Sequence, residues 1–154
     1  MNIKVEYLAD HPELVSLLAA WFYEEWGQGS PAVTFERMEE RVRARMNRDH
    51  LPLALVALDN GVPVGSATLK IQEMETHPQF LYWLGTVYVR PPFRRQGIGS
   101  IIVEAATAEA ARLGLGELYL YTRHSERFYT RLGWVVVERV FYHGREADIM
   151  KYAL

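Results

Sequence analysis

The residues best suited to do chemistry in this chain are two glycines behind a pair of arginines, in Arg94-Arg95-Gln96-Gly97-Ile98-Gly99-Ser100. They follow a β-branched and aromatic run, Thr86 to Val89, that Pro91-Pro92 ends because proline donates no ladder hydrogen bond. They open a helix: Ile98, Ile101, Ile102, Ala105, Ala106 and Leu113 recur at helical spacing, and Gly114 is the stop signal. The first turn of a helix carries amide N–H groups without internal partners and the positive end of the macrodipole. Glycine has no Cβ, so Gly97 and Gly99 let an anion approach the main chain, while Arg94 and Arg95 add charge at the same mouth. This spacing suits the binding of a phosphate or diphosphate. Close packing of helix on strand is the other reason a chain places glycines here.

Neither standard phosphate loop is present. There is no G-x-x-x-x-G-K-[ST], and Glu104 stands near the position where G-x-G-x-x-G would need its third glycine. A nucleotide-binding regulatory domain using the same turn is therefore one alternative to keep.

The elements that must position this turn can be read along the chain. Asn2 to Tyr7 alternates as a strand, and Asp10-x-x-Glu13 resembles a capping box for a helix carrying Leu14, Leu17, Leu18, Trp21 and Phe22 to its end at Gly27. Thr34 can cap a second helix with Phe35, Met38, Val42 and Met46 inward. Its other face carries Arg37, Arg41, Arg43, Arg45 and Arg48 against Glu36, Glu39 and Glu40, a mixed run that reads as a solvated surface. Leu53 to Leu58 is an apolar strand, Asp59-Asn60-Gly61 a hairpin turn, and Val62 to Ile71 its partner. A polar loop from Gln72 to Gln79 leads into a long strand, Phe80 to Val89. Beyond the glycine-turn helix come a strand at Glu117 to Thr122, a short helix from Ser125 to Leu132, and a final hairpin of Trp134–Tyr142 and Ala147–Leu154 around His143 to Glu146. One parallel crossover through the Gly99 helix, with hairpins elsewhere, predicts a mixed-sheet α/β domain.

Two segments carry a family resemblance. V-Y-V-R-P-P-F-R-R-Q-G-I-G-S resembles the acetyl-CoA motif Q/R-x-x-G-x-G/A of the GCN5-related N-acetyltransferases, starting at Arg94. Leu118 to Trp134, L-Y-L-Y-T-R-H-S-E-R-F-Y-T-R-L-G-W, resembles the next strand and helix of that family, with its F-Y-x-x-L-G-F/W signature. The resemblance implies one N-acetyltransferase domain over residues 1–154. Its sheet would be mixed and mostly antiparallel, of about seven strands with about four flanking helices, splayed in the middle to hold acetyl-CoA. It also implies transfer of an acetyl group to a primary amine of a small molecule, peptide or protein by direct attack.

The resemblance further implies roles for particular residues. Main-chain groups of Val87, Tyr88 and Val89 would meet the pantetheine arm, and the amides from Arg94 through Arg95, Gln96, Gly97, Ile98 and Gly99 to Ser100 the diphosphate. An N–H near Val89 would receive the developing oxyanion. Tyr129 matches the general acid toward the CoA thiolate. Many members place a Glu on the strand before the glycine turn, and none stands in F-L-Y-W-L-G-T-V-Y-V. Glu25, Glu73, Glu75, His77 and His124 are the candidate bases, beside a chain of waters. Trp26, Tyr82 and Trp83 lie near the expected acceptor mouth, with Glu25, Trp26 and Trp83 the candidate acceptor contacts. A domain that binds acyl-CoA without catalysis is the other reading the missing Glu leaves open.

Composition bounds the rest. The chain has 154 residues, 49% of them hydrophobic, a net charge of −2 and no cysteine. One packed domain is expected, with no disulfide, no cysteine nucleophile and no Cys-based zinc site. The five histidines, His11, His50, His77, His124 and His143, form no H-x-x-x-H pair, so no metal is expected. Nothing marks a nucleic-acid binder, and no apolar run suggests a membrane span. A cytoplasmic monomer or homodimer is the expectation.

Overall fold

Alternating apolar residues with turn residues between them build one sheet. The computed structural model describes residues 1–154. Its strands are β1 (Ile3–Tyr7), β2 (Leu53–Asp59), β3 (Val62–Ile71), β4 (Tyr82–Val89), β5 (Glu117–Thr122), β6 (Val135–Tyr142) and β7 (Arg145–Ala153). They lie in the order β1-β2-β3-β4-β5-β7-β6. The helices are α1 (Val15–Phe22), α2 (Phe35–Arg43), α3 (Ile98–Arg112) and α4 (Glu126–Arg131). This is the mixed, mostly antiparallel α/β architecture expected. No helix is long and apolar enough to cross a membrane.

β2 is apolar throughout because both of its faces are covered. Leu53, Leu55 and Ala57 pack with Ile98, Ile102, Val103, Ala106 and Ala110 of α3. Ala54, Val56 and Leu58 pack with Val15, Leu18, Ala19 and Phe22 of α1 and Met38 and Val42 of α2. Thr34 caps α2 as expected, its Oγ1 accepting from the Arg37 amide at 3.1 Å. The predicted start of the first helix does not hold. Leu8–Asp10 and Pro12–Leu14 form two 3-10 turns, His11 makes no side-chain cap, and the buried stripe turns so that Leu17 is exposed. Ile101 of α3 is likewise exposed, and Val103 and Ala110 are buried in the core. The last hairpin turns on His143 and Gly144 alone, both at positive φ, so β7 begins at Arg145.

Two irregularities matter for function. β4 and β5 are the sheet's parallel pair, and they meet in register only at Trp83 and Tyr119 before separating. β4 also carries a bulge: Ser66 lies opposite Tyr88 and Thr68 opposite Gly85, with Thr86 at a φ of 50°. The extra residue reverses the alternation of side chains. Leu84, Val87 and Val89 therefore all pack against the α3 side, while Tyr88 turns to the α1 and α2 side.

Candidate active site

The glycine turn forms because its residues accept unusual backbone angles. Pro91–Phe93 makes a 3-10 turn, and Arg95 and Gly97 then take φ of 63° and 84°. Gly97 is the N-cap of α3 and brings no side chain to the first amides. A Cβ on Gly97 would meet nothing within 4 Å, whereas one on Gly99 would come to 3.3 Å from the Phe128 ring. The two glycines thus have different reasons to be there. Gly97 supplies the left-handed bend and open space before the helix, and Gly99 admits the ring of α4. Arg95, Gln96 and Gly97 are exposed, Ile98 is buried, and Gly99 and Ser100 are half-buried.

Arg94 folds back along β4. Its Nε donates to the Val89 carbonyl at 2.7 Å, its Nη2 lies 3.8 Å from Glu25 Oε2, and its guanidinium sits over the Tyr88 ring at 5.5 Å. The Arg90 amide donates to Val64 of β3, so by alternation the polar groups of Val89 face the opposite edge, toward β5. Val87, two residues earlier, shares that direction. These are main-chain donors and acceptors without a strand partner, at the point where β4 and β5 part.

Between the two strands opens a cleft of about 690 Å³. Gly85, Thr86, Val87, Leu120, Tyr121 and Tyr129 line its inner part, and Glu25 and Trp26 its rim. Glu25 and Trp26 reach it because α1 ends in a π-helical turn, Tyr23–Gly27, closed by the Gln28 amide on the Tyr23 carbonyl at 3.0 Å. Trp26 is 50% exposed, with its ring edge-on to Tyr88 at 6.0 Å.

The other candidates divide. Glu73 and His124 line the cleft; Glu73 pairs with Lys70 at 3.3 Å, and His124 is bonded to Arg145 at 3.1 Å. Glu75 and His77 are engaged elsewhere. Glu75 accepts from the Tyr142 hydroxyl at 2.7 Å, a bond that holds its carboxyl down to about 2, and His77 pairs with Glu138 at 2.6 Å. Trp83 is a correction: it is 0% exposed, packs with Met74, Tyr119, Tyr142 and Ile149, and donates its indole N–H to the Phe80 carbonyl at 2.7 Å. It cannot touch an acceptor. Tyr82 packs against the α3-side core. The sequence reading missed Arg45. The chain leaves α2 at Arg43 and turns inward, so Arg45 is buried on the cleft wall and not on the solvated face.

Tyr129 is 9% exposed and lines the cleft. Burial pushes its phenol up to about 12. The folded state therefore holds this proton more tightly than the unfolded chain, where the phenol titrates near 10. The stability this contributes is complete below pH 10 and is lost as pH rises toward 12, up to roughly 2 to 3 kcal/mol. Tyr129→Phe should flatten the fall of Tm between about pH 10 and 12 relative to the wild type. Parallel curves would show that Tyr129 does not titrate with unfolding.

A turn of free amides at a helix start, a parting of two parallel strands and a tyrosine between them describe a site for an extended, phosphate-bearing molecule. The sequence profile of the acetyltransferase (GNAT) family matches residues 11–134. The chain belongs to the GNAT acetyltransferase family. No curated protein matches it significantly. Among solved structures, an aminoglycoside 6′-N-acetyltransferase complexed with coenzyme A is similar over 99% of this chain and 97% of its own, at 20% identity and a TM-score of 0.77. Arabidopsis thaliana NAA60 in complex with acetyl-CoA is similar over 99% and 100%, at 16% identity and a TM-score of 0.75. A GNAT-family acetyltransferase from Streptococcus pneumoniae is similar over 99% of each chain, at 16% identity and a TM-score of 0.72. At such identities the likeness is one of fold. In this GNAT chain β4 and β5 part after one residue pair and β4 bulges at Thr86.

Proposed function

We propose that residues 1–154 act as one acetyl-CoA-dependent N-acetyltransferase domain that acetylates a primary amine by direct attack. The observation that carries this reading is the separation of β4 from β5 after one residue pair, with Tyr129 among the residues that line the gap. The chain fits acetyl-CoA in two places. Main-chain groups of Val87 and the Val89 amide face the gap and can pair with the pantetheine amides as a strand would, the Val89 carbonyl being held by Arg94. The open space before Gly97 and the free amides from there to Ser100 suit the diphosphate. Acetyl-CoA supplies the activated acyl group and a thiolate leaving group.

The protein's own residues do the remaining work. Holding amine and thioester together lowers the barrier by up to roughly 7 to 11 kcal/mol. An N–H at the end of β4 stabilises charge developing on the carbonyl oxygen. Tyr129 donates a hydrogen bond to the departing sulfur. A phenol at about 12 facing a thiol near 8.5 makes complete proton transfer uphill by roughly 5 kcal/mol unless the same burial raises the thiol. Glu25 and Glu73 are the carboxylates placed to receive the amine's proton, through water.

Calorimetry with CoA and thiol release from acetyl-CoA with a panel of amines test this reading. CoA binding with amine-dependent thiol release is expected; failure to bind CoA would overturn it. A second reading, binding without transfer, has in its favour that β4 carries no acidic residue; CoA binding with no thiol release for any amine would favour it. Gly97→Ala places a methyl group in the open space. It should weaken CoA about 10-fold while leaving phosphate-free pantetheine unaffected. Equal weakening of both would remove the diphosphate from this turn.

A further inference from the structure

Arg45 is the charged side chain that the core has taken in. It is 9% exposed, and its Nη1 donates to Thr68 Oγ1 at 3.3 Å, its one hydrogen bond. The Phe22 ring lies 5.8 Å from its guanidinium, and it forms no salt bridge with any carboxylate. Glu73 is the carboxylate whose charge acts on it, without a salt bridge, and a guanidinium taken this far out of water is costly unless something completes its hydrogen bonds. Arg41, Lys70, Arg123 and Arg145 line the same cleft, whose two carboxylates, Glu25 and Glu73, are engaged by Arg94 and Lys70. Five cations against two carboxylates leave positive charge in excess where the acceptor would enter.

That excess does not belong to the diphosphate. Thr68 lies opposite Gly85, at the β4 bulge, whereas Val89 lies opposite Gly65, next to the glycine turn. Three strand residues separate the two levels, about 10 Å. A diphosphate on the Gly97 amides leaves Arg45 unanswered.

We propose that the amine acceptor carries a carboxylate that pairs with Arg45, so that this cleft takes amino acids and not simple amines. A guanidinium presents paired donors that match a carboxylate, and such charge-assisted bonds are directional enough to aim the amino group. This rests on the acetyltransferase reading above. In the step itself the amine nitrogen bonds to the acetyl carbon, the C–S bond breaks, the amine loses a proton and the sulfur leaves as thiolate to be protonated. Arg45 takes no part in that exchange; it binds the acid group at a distance from it.

The test compares glutamate, methionine and phenylalanine, each beside its amide and its decarboxylated amine, with acetyl-CoA as donor. At least one acid should exceed its amide and amine in kcat/KM by about 10- to 100-fold. In Arg45→Gln that ratio should fall to about 1, with folding checked by circular dichroism. The wild-type ratio needs no variant, so a misfolded Arg45→Gln leaves the test standing. Amides as good as acids, no acid acetylated, or both classes lowered alike in Arg45→Gln would overturn the proposal. So would a preference for succinyl-CoA over acetyl-CoA that Arg45→Gln abolishes, which would put the carboxylate on the acyl donor. Absence of CoA binding by calorimetry would instead bring down the acetyltransferase reading itself.

Discussion

Tyr129→Phe should lower kcat about 100-fold while CoA affinity stays within about twofold of the wild type. Tyr129 lines the cleft and burial alone shifts its phenol, with no side-chain hydrogen bond contributing, so removing the oxygen strands no partner and leaves no cavity larger than one atom. The ring keeps its packing against Phe128 and Trp134, whose centroids lie at 4.9 and 6.1 Å. Any loss of rate therefore reports on the oxygen alone. A phenol held at about 12 is a poor donor of a whole proton, so the expected loss is at the small end for acid catalysis. Steady-state kinetics alongside calorimetry reads both quantities. An unchanged kcat would remove the hydroxyl from the reaction, and a loss confined to CoA affinity would make it a binding group.

Gly65→Ala should destabilise the protein by about 2 to 3 kcal/mol, lowering Tm by roughly 6 to 10 °C. A methyl group at Gly65 would lie 2.6 Å from Ile102 Cδ1 and 2.7 Å from the Tyr88 carbonyl oxygen. The isoleucine tip can turn aside, but the carbonyl belongs to β4 and can move only with its strand. The strain therefore falls on Tyr88 and Val89, whose main chain borders the cleft. Weaker CoA binding should accompany the lower Tm. A variant as stable as the wild type would mean that β3 and β4 can slide apart without cost.

How much of this was legible in the sequence depends on how local the signal was. Asn60-Gly61 announces its turn because both residues tolerate positive φ, and the strands on either side followed with hardly a residue of error. Gly97 was legible for the same reason. Arg45 was not: in a run of alternating charges it looks like its neighbours, and only the end of α2 two residues earlier carries it inward. Thr86 gave no warning either, since a β-branched residue at positive φ is unusual and only the pairing with β3 imposes it. Trp83 and Tyr82 are adjacent in an alternating strand, and the sequence does not say which of them faces the core that Met74 and Tyr119 complete. The π-helical turn at Tyr23–Gly27, which aims Glu25 and Trp26, left no mark beyond its closing glycine.

The single rung between Trp83 and Tyr119 leaves the main-chain edges of β4 and β5 unzipped beyond it. Phe80 stacks on Tyr119 at 4.1 Å and Trp83 sits beside it at 5.8 Å, so aromatic rings close the seam at one end, while α3 and the core beneath it span both half-sheets. Past that rung, the seam is zipped by whatever strand-like guest lies in it. Amide protons on the facing edges of β4 and β5 should therefore exchange fast in the vacant protein and slow together when CoA is added, as hydrogen exchange would read.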